Sequence, residues 1–475
     1  MARLLLISLT FGILLTFTPN GLADESFVVK PYLQLGQNPA LSNPERLTVV
    51  WHASDMEEKW RVQARSPSHS NWRPASPVSC RSVAIRGVDP YRMCTAALTD
   101  LMPGEEFDYE ILKSNRVVFT ARGKARSPVN HAYRFVVFGD SGTNSPNQRA
   151  VAYQTYRHAP DFVFITGDMI QGGSGRISEY RTLYFPIYNA DVPSPTSGVP
   201  LLRARLFFST PGNHDIGATD LRTSSDALGY FVNWNLPLNG PELRINGQNA
   251  VPLRGAEEDR RAFFSAAGGT FPKMTMYSFD YGNSHWTVLD GNAYVDWTDY
   301  ELRNWVARDL AAAKNATWKF VSFHQAAFDS NGGARYEKMA VIADVLEHGG
   351  VDVVFNGNTH NYQRSLPVRF LPKPGPCGRM VCDSPRVDGD IKIDRDYDGL
   401  NRTRANGVTY IITGAGGSGL DEAQQTNNPA TWQPFTRAFV ADVPSLTVVD
   451  VYGKRLTVRQ VSGDGQELDR FILTK

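Results

Sequence analysis

Five apolar runs rich in β-branched and aromatic residues each stop at a polar residue able to bind a metal, and no other feature constrains the fold of this chain as strongly. Residues 134–138 run into Gly139-Asp140-Ser141-Gly142, and residues 162–166 into Gly167-Asp168. Residues 206–210 run into Pro211-Gly212-Asn213-His214-Asp215, residues 320–323 into His324, and residues 351–355 into Asn356-Gly357-Asn358-Thr359-His360. Such runs read as strands buried on both faces, each closed by a turn at its carboxyl end. Strands that end together aim their last side chains into one crevice, where open α/β sheets bind ligands. A Gly-Asp or Gly-Asn after one strand is ordinarily only a turn. Five such endings, carrying Asp, Asp, Asn, His and His, form an oxygen-and-imidazole set suited to transition metals.

The elements around these runs point to an α/β fold. Residues 276–281 and 285–290 read as an antiparallel pair turning at Gly282-Asn283. A helix follows, with a capping box of Thr298 and Glu301 and an apolar stripe of Leu302, Trp305, Val306 and Leu310. A second helix carries Met339, Ile342, Ala343 and Leu346 on one side and stops at Gly349. Residues 408–413 read as a strand into a glycine-rich turn at 414–417, and residues 446–461 as a hairpin turning at Gly453-Lys454. Residues 216–272 read as an irregular loop over the site, and the pattern breaks again over 366–406. There, Asp394, Asp396 and Asp398 resemble half of a calcium loop, but Ala405 stands where the closing Glu belongs, so an acidic turn is expected. Upstream, residues 47–51, 60–64 and 117–119 are short strand-like runs of a small β-sandwich, joined to the rest by a linker over 125–132 centred on Ser127-Pro128.

The chain has 475 residues, enough for two or more domains, with 42% hydrophobic and 20% charged residues, an ordinary globular balance. Its formal net charge of +1 offers no electrostatic case for nucleic acid or an anionic membrane as partner. Residues 1–23 read as a cleaved secretory signal: Arg3, an apolar stretch too short to span a bilayer, then Gly21-Leu22-Ala23 before the cut. Export to a secreted or periplasmic location is therefore expected. The four cysteines, Cys80, Cys94, Cys377 and Cys382, then favour disulfides. Three pairings are possible. Local pairing, Cys80 with Cys94 and Cys377 with Cys382, fits the spacing, and a loop of the first size contributes roughly 3 kcal/mol in the chain-entropy account.

Gly-Asp-x-Gly, Gly-Asp, Gly-Asn-His-Asp, a strand-terminal His, and Gly-x-x-His-x-Tyr-x-Arg, in that order, resemble the calcineurin-like metallophosphoesterases and, within them, the purple acid phosphatases. Lys30-Pro31-Tyr32-Leu33-Gln34 resembles the start of that group's N-terminal domain, and residues 101–107 resemble a fibronectin type III corner, with Phe107 in place of its Tyr and Tyr109 close by. After the signal read over 1–23, the resemblance implies a fibronectin III-like domain over 24–126 and a four-layer αββα catalytic domain over 133–475. It implies two divalent or trivalent metal ions drawn from iron, zinc and manganese. Asp168 would bridge them, Asp140 and His360 complete the first, and Asn213 and His324, with Asn358, hold the second. A hydroxide on the metals would attack phosphorus in line. His214 would protonate the leaving oxygen or bind the phosphoryl group, with pairing to Asp215 as the structural alternative, and Arg364 is a further candidate for phosphate.

Two departures stand out. The purple acid phosphatases place a Tyr ligand where this chain has Gln171, and a His ligand where it has Asn358. An amide oxygen can replace either, more weakly. Without a tyrosinate, the purple ferric band is not expected. The activity implied is cleavage of small phosphate esters, most simply monoesters. A phosphodiesterase or nucleotidase on the same site, and a catalytically silent relative acting as a binding module, are the alternatives.

Overall fold

A computed structural model of the protein describes residues 26–172, 175–331, 337–381 and 386–475. The expected signal at 1–23 and Cys382 lie outside the described residues.

The N-terminal part is all β. One sheet orders the strands Val29–Gln34, Glu45–Ser54, Tyr91–Leu101 and Ser79–Val83; a second orders His69–Pro74, Trp60–Ser66, Glu106–Lys113 and Arg116–Lys124. Every pairing is antiparallel. Alternating apolar residues bury one face of each sheet: Trp51 is fully buried and meets Trp60 edge-on at 5.6 Å. Cys80 and Cys94 stand opposite one another on neighbouring strands and form a disulfide.

The rest is two large sheets packed face to face. In the six-stranded sheet, Tyr133–Phe138, Phe162–Ile165 and Leu206–Ser209 run parallel, and the antiparallel strands Ser445–Tyr452, Arg455–Ser462 and Glu467–Thr474 extend the other side. In the seven-stranded sheet, Ser284–Val288, Trp318–Gln325, Val353–Gly357 and Thr409–Thr413 run parallel between antiparallel neighbours. Aromatic side chains fill the space between: Phe135 lies 5.2 Å from Trp286 and 5.4 Å from Phe320, and Phe164 stacks on Trp286 at 4.9 Å. The helix Pro146–Arg157 covers the outer face of the first sheet, and Tyr300–Ala312 and Ala343–His348 that of the second. The expected αββα order is present.

Several local expectations change. Thr298 is not the helix cap. Its hydroxyl donates to Asp296, and Asp299 caps Tyr300–Ala312 by accepting from the N–H of Glu301 and Leu302. The stretch 216–272 is not wholly irregular: it contains the helix Glu257–Ala267, with Glu257, Glu258 and Asp259 in its first turn and Gly268 ending it at φ +62°. Only Phe263, Ala266 and Ala267 of that helix are buried, too little apolar surface to leave a periodic signal. The stretch 366–406 contains the hairpin Val368–Lys373 with Asp388–Ile393, masked by Pro372 and by polar residues in the second strand. The acidic turn there is closed on itself. Asp394 accepts from the N–H of Asp396, Tyr397 and Asn406, and Asp398 from those of Leu400, Asn401 and Arg402. Residues 125–132 are no loose linker, since Ala125, Arg126 and Ser127 are buried.

Candidate metal centre

Three of the five strand ends lie side by side in one sheet and two in the other, so packing the sheets brings their terminal residues together. Asp140, Asp168 and His324 are buried and present ligand atoms all within 4.8 Å of one another. Nε2 of His324 lies 3.2 Å from Asp168 Oδ2 and 3.8 Å from Asp140 Oδ1. Asn213 joins through Oδ1, 3.1 Å from the same nitrogen, and His360 through Nε2, 3.6 Å from Asp140 Oδ1.

The second nitrogen of each imidazole sets its orientation. Nδ1 of His324 lies 2.7 Å from the Thr166 carbonyl oxygen, and Nδ1 of His360 lies 2.7 Å from that of Gly419. A carbonyl only accepts, so each Nδ1 carries the proton and donates it, leaving Nε2 with its lone pair turned toward the carboxylates. The carboxylates are held by backbone. Asp140 Oδ2 accepts from the Asn358 N–H at 3.0 Å and Asp168 Oδ1 from the His214 N–H at 2.9 Å. Asp215, behind them, accepts from the N–H of Asp168 at 2.8 Å and Gly212 at 2.9 Å.

The turns are tight because glycines let the backbone approach the donors. A Cβ on Gly212 would stand 2.0 Å from Asp168 Oδ1, one on Gly414 2.6 Å from Asp140 Oδ2, and one on Gly167 2.4 Å from His324 Nδ1. Asp140 at φ +57°, Asp168 at +52° and Asn358 at +67° are left-handed residues bearing a Cβ, an uncommon state that clusters at functional sites.

Two buried carboxylates this close need positive charge between them. Burial, and then the charge of Asp168, push Asp140 well above the ordinary carboxylate range against the pull of His324. Burial acts the same way on Asp168, but the charges of His324 and His214 hold it below that range. Burial opposes charge on His324, yet Asp168 and Asp140 together push it up to about 10. A divalent cation satisfies the same demand, and the donor set of carboxylate oxygens, imidazole nitrogens and an amide oxygen fits iron, zinc or manganese.

The remaining expected residues fall differently. His214 keeps its ring 37% exposed at the mouth, with Nε2 4.0 Å from Asp168 Oδ2, and Asp215 is engaged by backbone instead. Asn358 approaches Asp140 with its backbone N–H while its side chain is exposed. Arg364 is not available to a phosphate: it is buried, bonded to Asp469 by Nε at 2.7 Å and Nη2 at 3.0 Å, and stacked on Phe471. Two supports had no sequence signal. Asp421 accepts from the His360 N–H at 3.0 Å, and Asp329 accepts from the Thr359 hydroxyl at 2.5 Å. Both sit in irregular segments without ligand spacing.

Residues 133–362 match the family model of the calcineurin-like phosphoesterases. An uncharacterized protein of Mycobacterium tuberculosis is 22% identical over 413 residues, 82% of this chain and 69% of that protein. Purple acid phosphatase 15 of Arabidopsis thaliana is 24% identical over 264 residues, 53% of this chain and 44% of that protein. A solved purple acid phosphatase from yellow lupin (Lupinus luteus) seeds superposes with a TM-score of 0.65 at 17% identity, covering 94% of this chain and 74% of that one, a likeness of fold.

Proposed function

We propose that the chain, whose residues 133–362 match the calcineurin-like phosphoesterases, is a metallophosphoesterase of purple-acid-phosphatase type that acts outside the cytoplasm on small phosphate esters, most simply monoesters, with two transition-metal ions. Asp140, Asp168 and His360 would hold the first ion, and Asp168, Asn213 and His324 the second, with Asn358 at its margin. Bound there, the ions would polarise the ester and supply a nucleophile. The chain's own part is to fix the donors: backbone N–H groups aim both carboxylates, and two carbonyls hold Nδ1–H so that Nε2 faces inward. His214 stands beside the donors, its ring 37% exposed and Nε2 4.0 Å from Asp168 Oδ2. Its ring can donate a proton to the departing oxygen or hold the phosphoryl group. The all-β part fits the proposed fibronectin III-like domain over 24–126, and residues 133–475 the catalytic domain. Export rests on the signal read in residues 1–23, and no described helix is long and apolar enough to cross a membrane.

The observation that carries the reading is the convergence of Asp140, Asp168 and His324 from two sheets onto one buried point. Asp168→Ala tests it. The expected result is a folded protein that has lost its bound metal and no longer releases phosphate from a panel of mono- and diesters. Unchanged metal content and activity would falsify the assignment.

A further inference from the structure

Gln171 reaches into the centre from the loop after Phe162–Ile165. Its N–H donates to the Gly142 carbonyl at 2.9 Å, and its amide nitrogen lies 3.2 Å from Asp168 Oδ2, 3.4 Å from His360 Nε2 and 3.5 Å from Asp140 Oδ1. As hydrogen bonds these contacts are poor. They exceed the usual N–H···O separation of about 2.9–3.0 Å, and an amide has two N–H groups to offer three acceptors. As the edge of a coordination shell they fit. Donors on one tetrahedral ion with bonds of about 2.0–2.2 Å stand roughly 3.3–3.6 Å apart, and His360 Nε2 lies 3.6 Å from Asp140 Oδ1. A half-turn of the amide exchanges Oε1 for Nε2 in the same place, and the two atoms are assigned only by their neighbours.

We propose that Gln171 is a ligand of the first metal ion through Oε1, completing a set of Asp140, Asp168 and His360. The proposal rests on the metal centre assigned above. Its close approach is built into the backbone: a Cβ on Gly142 would stand 1.9 Å from the Met169 carbonyl oxygen, so glycine there lets the 168–171 loop lie flat on the 139–142 turn. With a neutral amide as fourth donor, the site holds two negative charges, which matches a divalent ion better than a trivalent one.

Cobalt(II) substitution reads the ligand set directly, through visible d–d absorption and through affinity measured against a chelator. Gln171→Ala is expected to weaken the tighter Co(II) site by at least the roughly 10–100-fold that loss of even a supporting residue costs, and to change its spectrum. Gln171→Glu keeps an oxygen in place and is expected to restore binding. Asp168→Ala serves as the reference. If Asp168→Ala loses Co(II) while Gln171→Ala keeps wild-type affinity and spectrum, the metal centre stands and the Gln171 assignment is overturned. If Asp168→Ala also keeps its Co(II), the metal reading itself fails. Failure of Gln171→Glu to recover any binding likewise overturns the assignment.

Discussion

One methyl group at Gly212 would stand 2.0 Å from the Asp168 oxygen that accepts the His214 N–H, so the site depends on what is missing from that residue as much as on what is present. Gly212→Ala is expected to displace the 211–215 turn and reduce bound metal sharply, measured by elemental analysis on protein that still melts cooperatively. Asn358 is a milder case. Its side chain is exposed while its N–H bonds Asp140, and an imidazole there would add a stronger donor at the rim of the proposed centre than an amide. Asn358→His should tighten the weaker ion, and metal titrations of the variant and wild type followed by phosphate release will show whether it does. Arg364 gives the opposite kind of prediction. Removing it leaves the Asp469 carboxylate with the Tyr362 hydroxyl, little solvent and no counter-charge, so Arg364→Met should lower stability by about 3–5 kcal/mol and leave KM for a phosphate ester unchanged. A raised KM with intact stability would return Arg364 to the substrate.

At the scale of elements, the edge of the seven-stranded sheet is pinned by one imidazole. His285 on Ser284–Val288 bonds Asp280 of the neighbouring strand at 2.8 Å through Nδ1, and Asp309 of the helix Tyr300–Ala312 at 3.0 Å through Nε2. Burial opposes charge on the ring, but the two carboxylates outweigh it and push His285 up to about 9. The folded value lies above the ordinary one of about 6.5. The clamp therefore contributes fully below about pH 6.5 and is lost as pH rises through 9. Tm should fall across that window, and His285→Asn should both lower Tm at pH 6 and flatten the fall. An identical pH profile in the variant would show that the clamp contributes nothing to it. The missed helix Glu257–Ala267 belongs to this scale too: it is held by contacts from outside, such as Arg81 Nε donating to the Ala266 carbonyl at 2.7 Å, rather than by its own apolar stripe.

Across the whole molecule, the N-terminal β part is bonded to the two-sheet part rather than tethered to it. Arg126 is fully buried, pairs with Glu45 through Nε at 2.7 Å and Nη2 at 2.9 Å, and donates to the carbonyls of Pro39, Ala40 and Asp280. Tyr32 donates to the Asn233 carbonyl at 2.8 Å, and Tyr109 to that of Arg203 at 2.9 Å. The Tyr109 bond runs to the other part of the molecule, so the hydroxyl missing at Phe107 has a counterpart two residues on with a different task. The two parts should unfold in one transition. Arg126→Met, which leaves the buried Glu45 carboxylate with Ser42 but without its counter-charge, should cost about 3–5 kcal/mol and shift that single transition. Two separate calorimetric transitions in the wild type would show that the parts are independent.

What the sequence determined by itself is local: strands that stop at Asp, Asp, Asn, His and His, because apolar runs and turn glycines act within a few residues of themselves. These endings single out Asp140, Asp168, Asn213, His324 and His360 as candidates, of which Asp140, Asp168 and His324 present ligand atoms within 4.8 Å of one another, and they order the strands and helices that carry the last two. What only the tertiary structure decided is which groups face one another across long separations. Arg364 meets Asp469 105 residues away, and Arg126 meets Glu45 81 residues away, so a plausible phosphate ligand became a buried ion pair and a plausible linker became a clamp. Gln171 reads as a lost ligand in one dimension and touches three donors in three. The physical reason is the same in each case: a side chain's partner is set by how the two sheets pack, and that packing is a sum over many distant residues that no short stretch contains.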